Sequence, residues 1–134
     1  MGNGTNVLLD SVILIDVFNG IAEAARFVRE VGPAAFVSPI TRAEVLAGYD
    51  PAEADLPRAL LDRFQWLTFD AAVADLAARL RREHRWKLPD ALQAAAACHA
   101  GLRLATRNTR DFPPDRHPFV LVPYRLPAAG SERA

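Results

Sequence analysis

The chain has 134 residues, of which 51% are apolar, and its 16 basic and 16 acidic side chains cancel to a formal charge of zero. That length gives room for one domain with a true core and not for two, and the balanced charge makes no global demand for nucleic acid or an anionic membrane. No apolar stretch is long enough to span a bilayer, and the single cysteine, Cys98, excludes an internal disulfide framework, so a reduced, cytoplasmic protein with no membrane partner is expected.

The opening MGNGTNV has neither the positive charge nor the apolar core of a secretion signal. Residues 1–5 read as a frayed end, as does the tail PAAGSERA. The apolar run NVLL (6–9) predicts a buried first strand, closed by Asp10, and VILI follows it at once. In IAEAARFVREV, Ile21, Ala24, Ala25, Phe27, Val28 and Val31 share a helical face opposite Glu23, Arg26, Arg29 and Glu30. Gly32-Pro33 stops that helix. AAFVS (34–38) predicts the second strand, and residues 39–65 read as two helices broken near Asp50-Pro51, with Pro39 at a helix start. WLTF (66–69) predicts the third strand. DAAVADLAARLRREHR carries an apolar stripe of Val73, Leu76, Ala77 and Leu80, with Asp70 as N-cap and arginines in the last turn to complement the dipole. A very apolar helix starts near Pro89 and stops at Gly101, and LRLAT (102–106) and FVLV (119–122) supply the last strands. Strands alternating with helices predict an α/β domain: a three-layer α/β/α sandwich around a central parallel sheet of about five strands. One domain is expected over residues 1–134, with its core at about 6–126.

In open α/β sheets, ligands bind beyond the carboxyl ends of the strands, and acids of this chain fall there. Asp10 ends the first strand, Glu44 lies about one turn into the helix after the second, and Asn108 and Asp111 follow the fourth in TRNTRDF. Asp90, in KLPDALQAAAACHAG, joins them if its helix begins at that edge. Each has an ordinary alternative. Asp10 and Asp90 suit helix N-caps, Glu44 a solvated helix position, and Asp111 a turn before Phe112-Pro113-Pro114. The surroundings argue against four coincidences, because an acid among the core-like neighbours of AEVLAG and PDALQAAAA needs a partner. Converging carboxylates must take up protons or bind cations. Hard oxygen donors with no cysteine pair suit Mg²⁺ or Mn²⁺ rather than zinc, and metal ions held by carboxylates suit attack of water on a phosphodiester. His84, His99 and His117 lack metal-ligand spacing and are expected on the surface or on helix faces. Cys98 is expected as a small core residue.

Four blocks, LLDSVILID, SPITRAEVLAGY, KLPDALQAAAACHAG and LATRNTRDF, together resemble a PIN domain, specifically the VapC-type toxins of bacterial toxin–antitoxin pairs. No single block is specific, but the four occur in the family's order and approximate spacing over nearly the whole chain. The resemblance implies the same three-layer fold and a Mg²⁺- or Mn²⁺-dependent endoribonuclease. By position, Asp10 matches the first acid, Glu44 the second, Asp90 the third, and Asn108 with Asp111 the final block, where either supplies the last ligand. Ser11 keeps a hydroxyl for metal or phosphate, while Val12 stands where many members carry Asn. Asp16 matches a frequent family acid and is expected as a structural hydrogen-bonding residue on the first helix. Thr106 and Arg107 fall beside the acids, placed to hold substrate phosphate or to position a carboxylate. The resemblance also implies a homodimer neutralised by a cognate VapB-type antitoxin, from which an inserted arginine would pair with the acids.

The run RLRREHRWK (79–87) approaches Asp90 and reads either as a solvated helix end or as a basic lip for RNA backbone. Trp86 reads as a core or interface residue, or as a base-stacking platform. Neither GxxxxGK[ST] nor GxGxxG is present, which removes the common nucleotide-binding loops. A receiver-like phosphorylation switch needs a lysine after a late strand, whereas Lys87 precedes the third acid. The rival that stays open is a PIN-like module that binds RNA or a partner without cutting, and Val12 and Asn108 keep it open.

Overall fold

A computed structural model of the chain describes residues 6–127, so residues 1–5 and all of the tail PAAGSERA but Pro127 lie outside the described residues. Among these residues are five strands: β1 (Val7–Leu9), β2 (Phe36–Val37), β3 (Gln65–Trp66), β4 (Arg103–Ala105) and β5 (Val120–Leu121). Six α-helices accompany them: α1 (Ser11–Phe18), α2 (Ala22–Val31), α3 (Pro39–Leu46), α4 (Asp55–Leu61), α5 (Ala71–His84) and α6 (Leu88–Ala100). The sheet order is β3-β2-β1-β4-β5 and every pairing is parallel. The expected three-layer α/β/α sandwich is the fold observed. No helix among the described residues is long and apolar enough to cross a membrane.

The central strand builds both faces of the core, because successive side chains of a strand point to opposite sides. Leu8 joins Leu104, Val120 and the buried faces of α5 and α6. Its neighbours Val7 and Leu9 turn the other way, into a cluster with Ile13, Leu14, Val31, Val45 and Leu61 from α1 to α4. Both sides of β1 are thus covered, which is why its sequence is a continuous apolar run rather than an alternation. Helix α6 buries Ala91 and Ala94 to Ala97. These short side chains let it lie close to the sheet, and one extra branched residue there would cost about 1–3 kcal/mol in overpacking.

Local chemistry sets the helix limits. Asp70 accepts from the Val73 amide at 3.0 Å and caps α5 as expected. Ser38 caps α3 by accepting from the Thr41 amide at 3.1 Å, with Pro39 in the first turn. Gly101 ends α6 in the left-handed conformation at φ 71°, which glycine adopts without strain. The end of α5 uses a costlier solution, since Arg85 itself takes φ 61°.

Three expectations change. The strands have two or three residues rather than four or five, and β3 begins at Gln65, one residue earlier than WLTF. It is an edge strand with both residues exposed, not a buried one. Trp66, 44% exposed, lies beneath the Arg42 guanidinium at 5.3 Å. Leu67 and Phe69, past the strand, supply the apolar packing that the run promised. Finally, Cys98 is exposed, not a core residue. The helix turn that buries Ala94 to Ala97 carries the next position outward.

Candidate functional site

Asp10 ends β1, where its amide donates to the Ala105 carbonyl at 3.0 Å. Its carboxylate accepts from the Ser11 amide at 2.9 Å and so caps α1. The two readings of Asp10 are therefore compatible: it is a cap, and it is also more than a cap. Its other oxygen accepts from the Thr106 hydroxyl at 2.7 Å, and Gln93 Nε2 lies 3.3 Å from the first. The group is only 7% exposed. Burial pushes its pKa up, against the bonds from Thr106, Gln93 and the Ser11 amide that favour the ionised form.

Glu44 projects from α3 and accepts from the Ser11 hydroxyl at 2.6 Å. Asp90 lies in the first turn of α6. It is not the N-cap of that helix, because α6 begins at Leu88, and its cap residue, Lys87, makes no side-chain bond to it. The ordinary explanation for Asp90 thus falls away, and the helix does begin at the sheet edge that holds Asp10. Asp90 has its pKa raised to about 6, first by burial and then by the negative fields of Asp10, Asp111 and Glu44, with Lys87 opposing. Four carboxylates from separate segments share one electrostatic environment.

Asp10, Ser11, Glu44, Asp90 and Asn108 line one open groove of about 420 Å³, with Val12 and Arg107 on its wall. Asp111 stands beside it rather than in its lining. Its carboxylate accepts from Asn108 Nδ2 at 3.1 Å, and its carbonyl accepts from Trp86 Nε1 at 2.8 Å. Asn108 therefore separates Asp111 from the groove, while Asp111 still acts on Asp90 through its field.

Thr106 is fully buried and does not face the groove. Of the two uses expected for it, its bond to Asp10 serves the positioning of a carboxylate. Its oxygen also accepts from the Asn108 amide at 3.0 Å, so one hydroxyl joins the first acid to the last block. Arg107 is likewise engaged. It binds Asp16 through Nε at 2.6 Å and Nη2 at 2.8 Å, and Tyr124 adds a hydroxyl bond to Asp16 at 2.8 Å. Asp16, 3% exposed, is the structural hydrogen-bonding residue the sequence suggested.

Sequence reasoning missed the residue behind Asp10. Gln93 is 1% exposed. Its Nε2 donates to Thr41 Oγ1 at 2.9 Å as well as reaching Asp10, and its carbonyl accepts from the Ser38 hydroxyl. Thr41 in turn donates to the Leu9 carbonyl at 2.8 Å. This relay links α3, α6 and the end of β1, and no buried side-chain polar atom among the described residues lacks a partner. The available signal was Gln93 itself, the one amide in α6, set in the apolar stretch between Asp90 and His99.

The donor set is oxygen only, hard and excessively negative, which fits a divalent cation such as Mg²⁺ or Mn²⁺. The acids that would hold it are Asp10, Asp90 and Glu44, with Asn108 or Asp111 beside them. Among the described residues no three acid, histidine or cysteine side chains are gathered tightly enough to ligate one ion as they stand.

Comparison with known proteins identifies the family of the fold. No curated protein sequence matches the chain. Among solved structures, a toxin–antitoxin complex from Klebsiella pneumoniae contains a chain 36% identical, with a TM-score of 0.81, covering 90% of this chain and 99% of that one. FitAcB from Neisseria gonorrhoeae is 23% identical with a TM-score of 0.75, covering 90% and 99%, and shows the fold alone. The same holds for DNA-bound VapBC from Salmonella typhimurium, 21% identical, with a TM-score of 0.70 and coverage of 86% and 94%. The sequence pattern of the PIN domain matches residues 7–113, from β1 through the turn after β4 and across every acid described above. With its sheet order, its acids at one sheet edge and that match, the chain belongs to the PIN domain family.

Proposed function

We propose that the chain is a metal-dependent endoribonuclease of the VapC type, the toxin of a toxin–antitoxin pair, which hydrolyses RNA phosphodiester bonds. The observation that carries the reading is the treatment of Asp10 and Asp90. A nearly buried carboxylate is held in place by three donors while a second, pushed to a pKa of about 6, faces the fields of three other acids. Such a cluster is poorly suited to an empty site and well suited to one occupied by a cation. Bound Mg²⁺ or Mn²⁺ supplies charge neutralisation at the phosphate and a more acidic water.

The chain's own residues do the positioning. Thr106 and Gln93 fix the plane of Asp10, Ser11 restrains Glu44, and the dipole of α6 favours the ionised Asp90 in its first turn. Asn108 restrains Asp111. In this reading Ser11 is the hydroxyl nearest the substrate phosphate. Arg107, bound to Asp16, holds the first helix against the loop after β4. A VapB-type antitoxin accompanies the assignment, supported by the toxin–antitoxin complex that contains the 36% identical chain, and a homodimer is proposed with it.

The test is cleavage of total RNA by the antitoxin-free protein with Mg²⁺, with Mn²⁺ and with chelator, using Asp10→Asn as control. Discrete metal-dependent fragments that vanish in the variant are expected. A folded protein that cuts under neither metal would favour the second reading, a PIN-like module that binds RNA or a partner without cutting. Val12 in the groove wall, and Asn108 in its lining where an acid would be the stronger ligand, favour that reading.

A further inference from the structure

A second polar recess, of about 220 Å³, adjoins the acid groove between the end of α5 and the turns after β4. Its lining includes Arg85, Arg110 and Arg116, all exposed, together with His84 and His117. Arg110 also lines the acid groove, so the two depressions share a wall. Among the described residues none of these three arginines takes part in a salt bridge. Three unpaired guanidinium groups around one depression repel each other and favour an anion between them.

The frame beneath is closely packed. Trp86, 6% exposed, packs against Phe112 with ring centres 4.9 Å apart, and its indole is fixed on the Asp111 carbonyl. The His84 ring stacks on it at 4.3 Å, with planes 22° apart. Trp86 is therefore the floor and not a platform for a base. Arg85 is aimed by its own backbone: it caps α5 in the left-handed conformation, at a position where glycine would be the unstrained choice. Asp111, the acid in the lining, has its carboxylate bonded to Asn108 on the groove side.

We infer that this recess binds a backbone phosphate of single-stranded RNA, and that the same strand continues into the acid groove. The inference rests on the endoribonuclease reading for its ligand, since an acid groove alone repels a polyanion and needs cationic ground beside it to hold one. The basic run at the end of α5 is then only partly a solvated face, with Arg85 as the member that reaches the RNA.

The test is binding of a short fluorescein-labelled single-stranded RNA of mixed sequence, followed by anisotropy in chelator over a range of KCl concentrations. Arg85→Asn keeps a residue that tolerates left-handed backbone, and it is combined with Arg116→Gln. Arg26→Gln, an exposed position on α2 across the sheet, is the control. The double variant is expected to bind about tenfold more weakly, with a log–log salt slope shallower by about 1.4 for two lost single-strand contacts. The control should match the parent, and thermal unfolding should be unchanged in both. Cleavage by the parent, with binding and slope unaltered in the double variant, overturns the inference and leaves the nuclease reading standing. Weakened binding in the double variant, with no cleavage by the parent, sinks the nuclease reading and supports the recess. A parent that binds no RNA overturns both.

Discussion

Replacing Asp90 with Asn should stabilise the metal-free protein, and the gain should depend on pH in a defined way. In the unfolded chain Asp90 titrates near 3.8, whereas in the fold its pKa is about 6 because of burial and the three neighbouring acids. Between those values the folded state holds a proton that the unfolded state has released. The destabilisation is thus absent below about pH 4, grows as pH rises to about 6, and stays constant above. A shift of that size corresponds to about 3 kcal/mol if fully expressed, but Asp90 is only half-buried and solvent screens its repellers, which reduces the expectation to about 1 kcal/mol. For a chain of this length that is roughly 4 °C in Tm. The assay is thermal unfolding by circular dichroism in chelator, with parent and Asp90→Asn compared at pH about 4 and about 7.5. Addition of Mn²⁺ should then raise the parent's Tm and leave the variant nearly unmoved. A variant less stable than the parent at neutral pH, or a gap that does not close in acid, would refute the view that the acids strain one another.

Gln93→Ala should cost about 2–3 kcal/mol in urea unfolding, because it leaves the Ser38 and Thr41 hydroxyls and one oxygen of Asp10 short of partners in the interior. Arg107→Ala leaves Asp16 buried with Tyr124 as its remaining side-chain donor. Loss of a buried pair costs about 3–5 kcal/mol, and since the Arg107 side chain is 34% exposed, about 2 kcal/mol is the expected loss in the same measurement. Cys98→Ser should change stability by less than about 0.5 kcal/mol, and the parent thiol should react with a maleimide without denaturant, as its exposure requires.

The fold was largely legible because hydrophobic period and punctuation agree along this chain. The outward set Glu23, Arg26, Arg29 and Glu30 is exposed as its spacing demands, and Asp70 caps the helix it precedes. Strand lengths were not legible, since an apolar run does not say where the ladder stops: Leu67 and Phe69 belong to the core without belonging to β3. Cys98 was misplaced because six of the seven residues in AAAACHA give no period to read. At the site, the acids could be counted but their supports could not. The Thr106 bond to Asp10 joins residues 96 positions apart and that of Gln93 joins residues 83 apart, so each side chain's use is decided by where another segment arrives.

Those separations bear on the birth of the molecule. Synthesis from the amino end completes Asp10 and Glu44 long before, and Asp90 just before, the strand that must lie beside β1. Until Leu104 pairs with Leu8, the central strand has one neighbour, and Asp10 lacks the hydroxyl that orients it. A polypeptide cut short before Leu102 would carry all three leading acids without β4 and the Thr106 hydroxyl that complete the groove. Assembly of the acid cluster is therefore a late event, gated by the longest loop closure in the sheet. A chain released before β4 is made therefore lacks the Thr106 hydroxyl that orients Asp10, whatever it keeps of the other acids.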